Sequence, residues 1–249
     1  MDSKFSMPTE MVELPSKGLL YPEDSPLSSG KLEMKYMTAK EEDLLTNQNY
    51  IRNGTVIDKL MKSLIVDKTI NYKDILIGDK NALMFAARIL SYGKDYDFMY
   101  DGIEQKVDLS TLPLKYLDEE TIQSRANEFS FKLPSTENVV TYKLLTHGDE
   151  GIIDNEIAGL KKIHKGTSPE STTRLKRMIT SVNGSREVKD IREFVDNYLL
   201  AKDARALRAE YQRIQPDIIM KVEVRNQAGG EEDVDIPISL NFFWPDAGL

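Results

Sequence analysis

Two histidines, several acidic runs and a few turn serines are the residues here with types suited to chemistry, since the chain has no cysteine. His147 stands in Thr146-His147-Gly148-Asp149-Glu150, where an imidazole that titrates near neutral pH could pair with Asp149 for acid-base work. The same residues fit a strand-to-helix loop in which Asp149 caps the next helix and His147 bonds nearby backbone, and this plainer reading is preferred. His164 falls late in a predicted helix, where it suits the negative helix end, and it has no ligand partner at i+4 spacing. Asp118-Glu119-Glu120 and Glu231-Glu232-Asp233 offer oxygen ligands to a hard cation but lack the alternation of an EF-hand loop. The first acidic run reads as a helix start and the second as a hairpin loop. Ser16 and Ser28 belong to turns, and no nucleophile-elbow pattern accompanies His147. A hydrolase or metal-dependent enzyme using His147 is the weaker alternative; the expectation is a non-enzyme with no catalytic, metal-binding or cofactor-binding residues.

Composition narrows the partners. The 249 residues suffice for one large domain or two small ones. A formal net charge of −8 opposes general binding to nucleic-acid phosphates. The local cluster Arg174, Lys176 and Arg177 shares a predicted helix with Leu175, Met178 and Ile179 and reads as its solvated face. No apolar run approaches the roughly 18 residues of a membrane span, and Met1-Asp2-Ser3-Lys4-Phe5 opens no apolar secretory segment. Neither nucleic acid nor membrane is expected as a partner, and the cytoplasm is the expected location. Without cysteine there is no disulfide framework, thiolate metal site or cysteine nucleophile.

The elements that must position these residues give an α+β class: two strand-hairpin regions separated and covered by amphipathic helices, with an irregular N-terminal arm. Residues 1–37 read as an extended arm and first strand, with alternation over Lys31 to Met37. Residues 38–145 read as a mixed helix and hairpin region. Thr38 and Glu41 form a capping box for a helix from about Ala39, and Thr55 is the expected N-cap of Val56 to Ile65. A helix follows Asp79 and stops at Tyr92-Gly93. Asp101-Gly102 then turns a hairpin between Tyr96–Tyr100 and Ile103–Leu109. A weak helix over Asp118 to Asn127 precedes strands at Glu128 to Leu133 and Val139 to Leu145.

Residues 146–249 read as a helical region closed by a C-terminal hairpin, forming one compact domain with the preceding region as an alternative. Its helices are expected over Asp149–Lys165, Pro169–Val182 and Val188–Arg213, the last breaking near Leu200. Strands follow at Ile218–Val224 and Val234–Leu240, joined across Gly229-Gly230, with Pro237 at an edge or irregularity.

Apolar segments near both ends are the candidate binding surfaces. Glu13-Leu14-Pro15-Ser16-Lys17-Gly18-Leu19-Leu20-Tyr21-Pro22 is too rich in proline for a helix and too apolar for a free tail. Leu19, Leu20 and Tyr21 must lie on a surface, either a partner's or the chain's own core. The same choice applies to Phe242, Phe243 and Trp244, the last being the only tryptophan. The expectation is that polar replacement of Leu19, Leu20 and Tyr21 together weakens association and leaves the fold intact; unfolding instead would place them in the chain's own core.

Read together, Glu13 to Pro22, Met37-Thr38-Ala39-Lys40-Glu41-Glu42-Asp43, Gly54-Thr55-Val56-Ile57-Asp58 and Gly78-Asp79-Lys80-Asn81-Ala82 resemble the baseplate protein family of T-even-like contractile-tailed bacteriophages. Leu145 to Glu150, Ile191-Arg192-Glu193-Phe194-Val195-Asp196 and Phe242-Phe243-Trp244-Pro245-Asp246 extend the resemblance across nearly the whole chain. It implies a viral baseplate hub assembly protein, a non-enzymatic assembly factor or chaperone, working by protein-protein binding. Its implied partners are other hub or hub-assembly proteins in the host cytoplasm during virion assembly, and the alternative is a permanent structural subunit of the hub. The resemblance also suggests paired cysteines of a zinc-knuckle kind at the two hairpins of some relatives. Here Tyr100-Asp101-Gly102 and Asn226 to Gly230 stand there, which leaves strand pairing and packing alone.

Overall fold

The computed structural model describes residues 6–122, 125–163 and 169–245. Strand β1 (Thr9–Glu13) pairs antiparallel with β2 (Lys31–Lys35), from Thr9 opposite Lys35 to Glu13 opposite Lys31. The expected arm is therefore a closed loop between paired strands. Strand β1 escapes sequence reading because its side chains are largely exposed and show no apolar alternation. Within the loop, Lys17 and Gly18 both take positive φ (52° and 74°). A Cβ on Gly18 would lie 2.5 Å from Ser28 O and Gly30 N, so the close approach admits only glycine. Ser25 caps a short 3-10 turn at Pro26–Ser29, its hydroxyl accepting from Leu27 N–H, and the chain enters β2.

Helix α1 (Ala39–Leu45) starts at the expected capping box, α2 (Gln48–Arg52) is capped by Asn47, and α3 (Val56–Leu64) follows Thr55. Thr55 makes no side-chain cap bond. Helix α4 (Ile77–Tyr92) begins two residues before Asp79. Asp79 lies in the first turn, where its side chain serves the loop around Ser16 instead of following the helix boundary. Gly93, at φ 83°, ends α4.

The predicted hairpin forms as β3 (Asp95–Tyr100) and β4 (Ile103–Asp108), with Asp101 and Gly102 at φ 48° and 74°. Such positive angles are those of the tight turn that matches strand twist. The helix expected over residues 118–127 is only a 3-10 turn at Glu119–Thr121, after β5 (Leu114–Lys115); residues 123 and 124 lie outside those described. Asn127 is instead bonded at both ends to Leu144 backbone, which holds the segment in a bend.

Strands β6 (Phe129–Lys132) and β7 (Val139–Tyr142) form as expected, and helix α5 (His147–Ile163) follows. His164 lies outside the described residues. The helix expected to run from 169 to 182 divides into α6 (Glu170–Met178) and a strand, β8 (Ile179–Val182), which pairs with β7. The β-branched residues Ile179, Thr180 and Val182 suit that strand, and Asn183-Gly184 turns out of it. The predicted break near Leu200 separates α7 (Val188–Asn197) from α8 (Ala201–Ile214).

Strand β9 (Asp217–Ile218) pairs with β5, and β10 (Lys221–Arg225) pairs with β11 (Glu231–Asp235). The acids Glu231, Glu232 and Asp233 are thus in a strand, not a hairpin loop, because the turn is tighter than expected. Pro237 lies beyond β11, and the short helix α9 (Leu240–Phe243) replaces the predicted strand end. Buried apolar side chains from Leu14 to Phe243 join in one cluster, and the class is α+β.

Candidate functional site

Helix α5 begins where Thr146 and Asp149 cap one another: the Asp149 carboxylate accepts from Thr146 N–H at 3.1 Å, and Asp149 N–H donates to Thr146 Oγ1 at 3.2 Å. His147 N–H donates to Ile75 O at 2.8 Å, tying the start of α5 to the segment before α4. The cap at Asp149 agrees with the structural alternative read from the sequence, whereas the imidazole turns to carboxylate side chains and not to backbone. The ring does not pair with Asp149. Its Nε2 lies 2.9 Å from Asp58 Oδ2 on α3, and its Nδ1 lies 3.8 Å from Glu150 Oε2. Lys80 of α4 reaches the same Glu150 oxygen at 2.5 Å, and the Tyr72 ring stands 4.7 Å from the imidazole.

These neighbours set the protonation states. The hydrogen bond to Asp58, with the Glu150 carboxylate nearby, raises the His147 pKa against the opposing effect of burial. Burial pushes Glu150 up, but His147 and Lys80 outweigh it and hold the carboxyl at about 2. Asp58 is lowered in the same way, burial being outweighed by His147. His147, set between two carboxylates, joins α3 to α5 and, through Lys80, to α4. The imidazole is 17 % exposed, with one nitrogen committed to Asp58.

Asp149 carries a second set of ties. Its carboxylate also takes Lys143 at 2.9 Å and Arg177 at 2.5 Å, which hold it below its ordinary range although burial acts the other way. Arg177 is therefore part of a structural cluster. Lys176 pairs with Asp196 at 2.6 Å and Arg174 with Glu170 at 3.8 Å, so the basic run is matched by acids along α6 and α7.

The remaining candidates also have local roles. Asp118 accepts from Glu120 N–H at 3.1 Å, Glu119 pairs with Lys17 at 3.0 Å, and Glu231 faces Arg225 at 3.7 Å. Ser28 donates to Glu23 O at 3.2 Å. Among the described residues, no group of three or more histidines and carboxylates is placed to hold a metal ion.

Ser16 leads to a residue the sequence reading did not single out. Asp79 is fully buried and accepts from Ser16 N–H at 2.9 Å, Ser16 hydroxyl at 2.6 Å and Tyr21 hydroxyl at 2.6 Å. The Tyr21 oxygen in turn accepts from Leu76 N–H at 2.9 Å. Burial raises the Asp79 pKa, with Asp217 adding to it, against the three hydrogen bonds. Burial likewise pushes the Tyr21 hydroxyl up, and the Asp79 charge adds to it.

The candidate binding residues are mostly consumed in the core. Leu20 and Tyr21 are buried, while Leu19 packs partly buried against the same cluster. Phe242 and Phe243 are wholly buried; the Phe242 ring meets Phe85 at 5.0 Å, Tyr96 at 5.1 Å and Phe243 at 5.0 Å. Trp244 is partly buried against the core. Of the two readings set out from the sequence, burial of these side chains supports their own core over a partner, because four of the six present almost no surface.

The family model described as T4 bacteriophage base plate protein matches residues 7–244. No curated protein and no solved structure matches the chain.

Proposed function

The chain belongs to the T4 bacteriophage base plate protein family, and from that premise we propose that it is a non-enzymatic assembly factor of the baseplate hub. It binds other hub proteins in the host cytoplasm and helps them reach their assembled arrangement. The observation that carries this reading is the family match over residues 7–244. The chemistry at His147 is compatible with it: the imidazole and its two carboxylates link three helices, a role that needs no substrate. Among the described residues no helix is long and apolar enough to cross a membrane.

Capture of the tagged chain from infected cells, before and after tail completion, tests the proposal. Co-purification of hub proteins from the earlier stage is the expected result. No association, together with normal hub assembly when the gene is removed, would reject it.

A further inference from the structure

The β3–β4 and β10–β11 hairpins meet along β4 and β10, and neither has a strand partner on its other outer edge among the described residues. The Gln105 side chain on β4 donates to Arg225 O at 3.0 Å and accepts from Arg225 N–H at 3.4 Å, which ties β4 to the backbone edge of β10. Gln227 N–H donates to the Asp101 carboxylate at 2.8 Å, joining the two turns. The opposite edge, along β3, has no strand partner among the described residues.

The hairpin register decides which groups face outward. Tyr100 and Ile103 flank the two-residue turn as a bonded pair, so bonded pairs recur at Phe98 with Gln105 and Tyr96 with Val107. Leu109 N–H donates to Lys94 O at 2.8 Å, which continues the same alternation. Asp95, Asp97 and Met99 consequently turn their backbone groups away from β4. Arg88 Nη2 occupies Asp95 O at 3.0 Å, while the outward N–H and C=O of Asp97 and Met99 meet no partner among the described residues.

These groups open onto a groove of about 580 Å³ that β3 shares with Arg88 and, across it, Pro237, Ser239, Asn241 and Pro245. Met99 is 65 % exposed beside it. An exposed strand edge is a template for a further strand, with main-chain bonds supplying affinity and alternate side chains supplying selection. Asp95 and Asp97 point to the exposed face of the hairpin, where Lys106 of β4 stands 3.8 Å from Asp97 and half of the Asp97 side chain stays exposed. Antiparallel pairing of two copies would gather both pairs of acids on one face, and like charges there are destabilising. An extended segment with Lys or Arg at alternate positions would instead set cations against them.

We propose that the outer edge of β3 is a docking strand for an extended, cationic segment of another baseplate protein. This rests on the reading of the chain as a binding protein and names the surface it uses. The probe is a decapeptide of alternating lysine and valine, with a glutamate-valine peptide as control, titrated into the full chain while amide exchange is followed by NMR. The lysine peptide is expected to slow exchange of the Asp97 and Met99 amides, and the glutamate peptide is not. Met99→Pro removes an N–H that β4 does not use and should abolish the protection. Asp97→Lys should weaken the lysine peptide about tenfold, and circular dichroism checks that each variant is folded.

Equal binding by both folded variants, protection only at other amides, or no binding at millimolar peptide would overturn the assignment. Protection that grows with protein concentration alone would also overturn it, by giving the edge to a second copy. Failure of the peptide with hub capture intact rejects the edge and keeps the functional reading; peptide binding without hub capture does the reverse.

Discussion

The Tyr21 hydroxyl donates to the Asp79 carboxylate at 2.6 Å across 58 residues of sequence, and both side chains are buried. The apolar N-terminal loop is thereby fixed to the start of α4 by a hydrogen bond inside the core. Tyr21→Phe removes this bond and also strands Leu76 N–H. A loss of about 1–3 kcal/mol is expected, read from the urea unfolding midpoint. Asp79→Ala should cost more, since it leaves Ser16 N–H, the Ser16 hydroxyl and Tyr21 without their acceptor. Simultaneous polar replacement of Leu19, Leu20 and Tyr21 should unfold the chain, and a folded triple variant would contradict this placement.

Gly78 is held against the other end of the sequence. A Cβ there would lie 1.8 Å from Pro216 O, a backbone atom that a side-chain rotation cannot move. Gly78→Ala should therefore destabilise by at least about 3 kcal/mol or prevent folding, beyond the usual overpacking range. Gly159→Ala is the internal control, because a Cβ there meets nothing within 4 Å. Thermal unfolding of the two variants side by side gives the comparison.

Much of the helix and hairpin pattern was legible because its signals are local. Thr38 with Glu41 announced α1, Asp101-Gly102 announced the β3–β4 turn, and Leu200 marked the break before α8. Strand β8 was not, because Ile179–Val182 continues the apolar rhythm of α6 and only pairing with β7 decides its conformation. Asp79 was illegible for the same reason: its partners Ser16 and Tyr21 lie 63 and 58 residues away. His147 was found by residue type, but its true partner Asp58 is 89 residues distant while the adjacent Asp149 serves the helix cap.

The His147 cluster gives stability a defined pH dependence. Its folded pKa is raised above the ordinary 6.5, so the folded state holds the proton more tightly than the unfolded state. That contribution is fully present below the unfolded pKa and is lost as pH rises through the folded value. Glu150, lowered to about 2 from 4.5, acts in the other sense: its contribution is present above 4.5 and lost as pH falls toward 2. Urea midpoints should therefore decline in the parent chain as pH rises from 6.5 through the folded value. His147→Gln should flatten that decline, and an unchanged slope would remove His147 as its cause.

At the C-terminal side, Phe242 is wholly buried among Phe85, Tyr96 and Phe243. Phe242→Ala should cost about 3–5 kcal/mol by opening a cavity. Trp244→Ala should cost less, since Trp244 is only partly buried. Chemical denaturation orders the two, and a larger loss at Trp244 would contradict the packing described.

Transient service in hub assembly would leave its mark on copy number. Quantitative mass spectrometry should count the chain against hub proteins in assembly intermediates and in purified mature particles. The expected result is stoichiometric chain in the intermediates and absence or a substoichiometric trace in the particles. A fixed whole number of copies retained in every mature baseplate would contradict it and identify a permanent subunit.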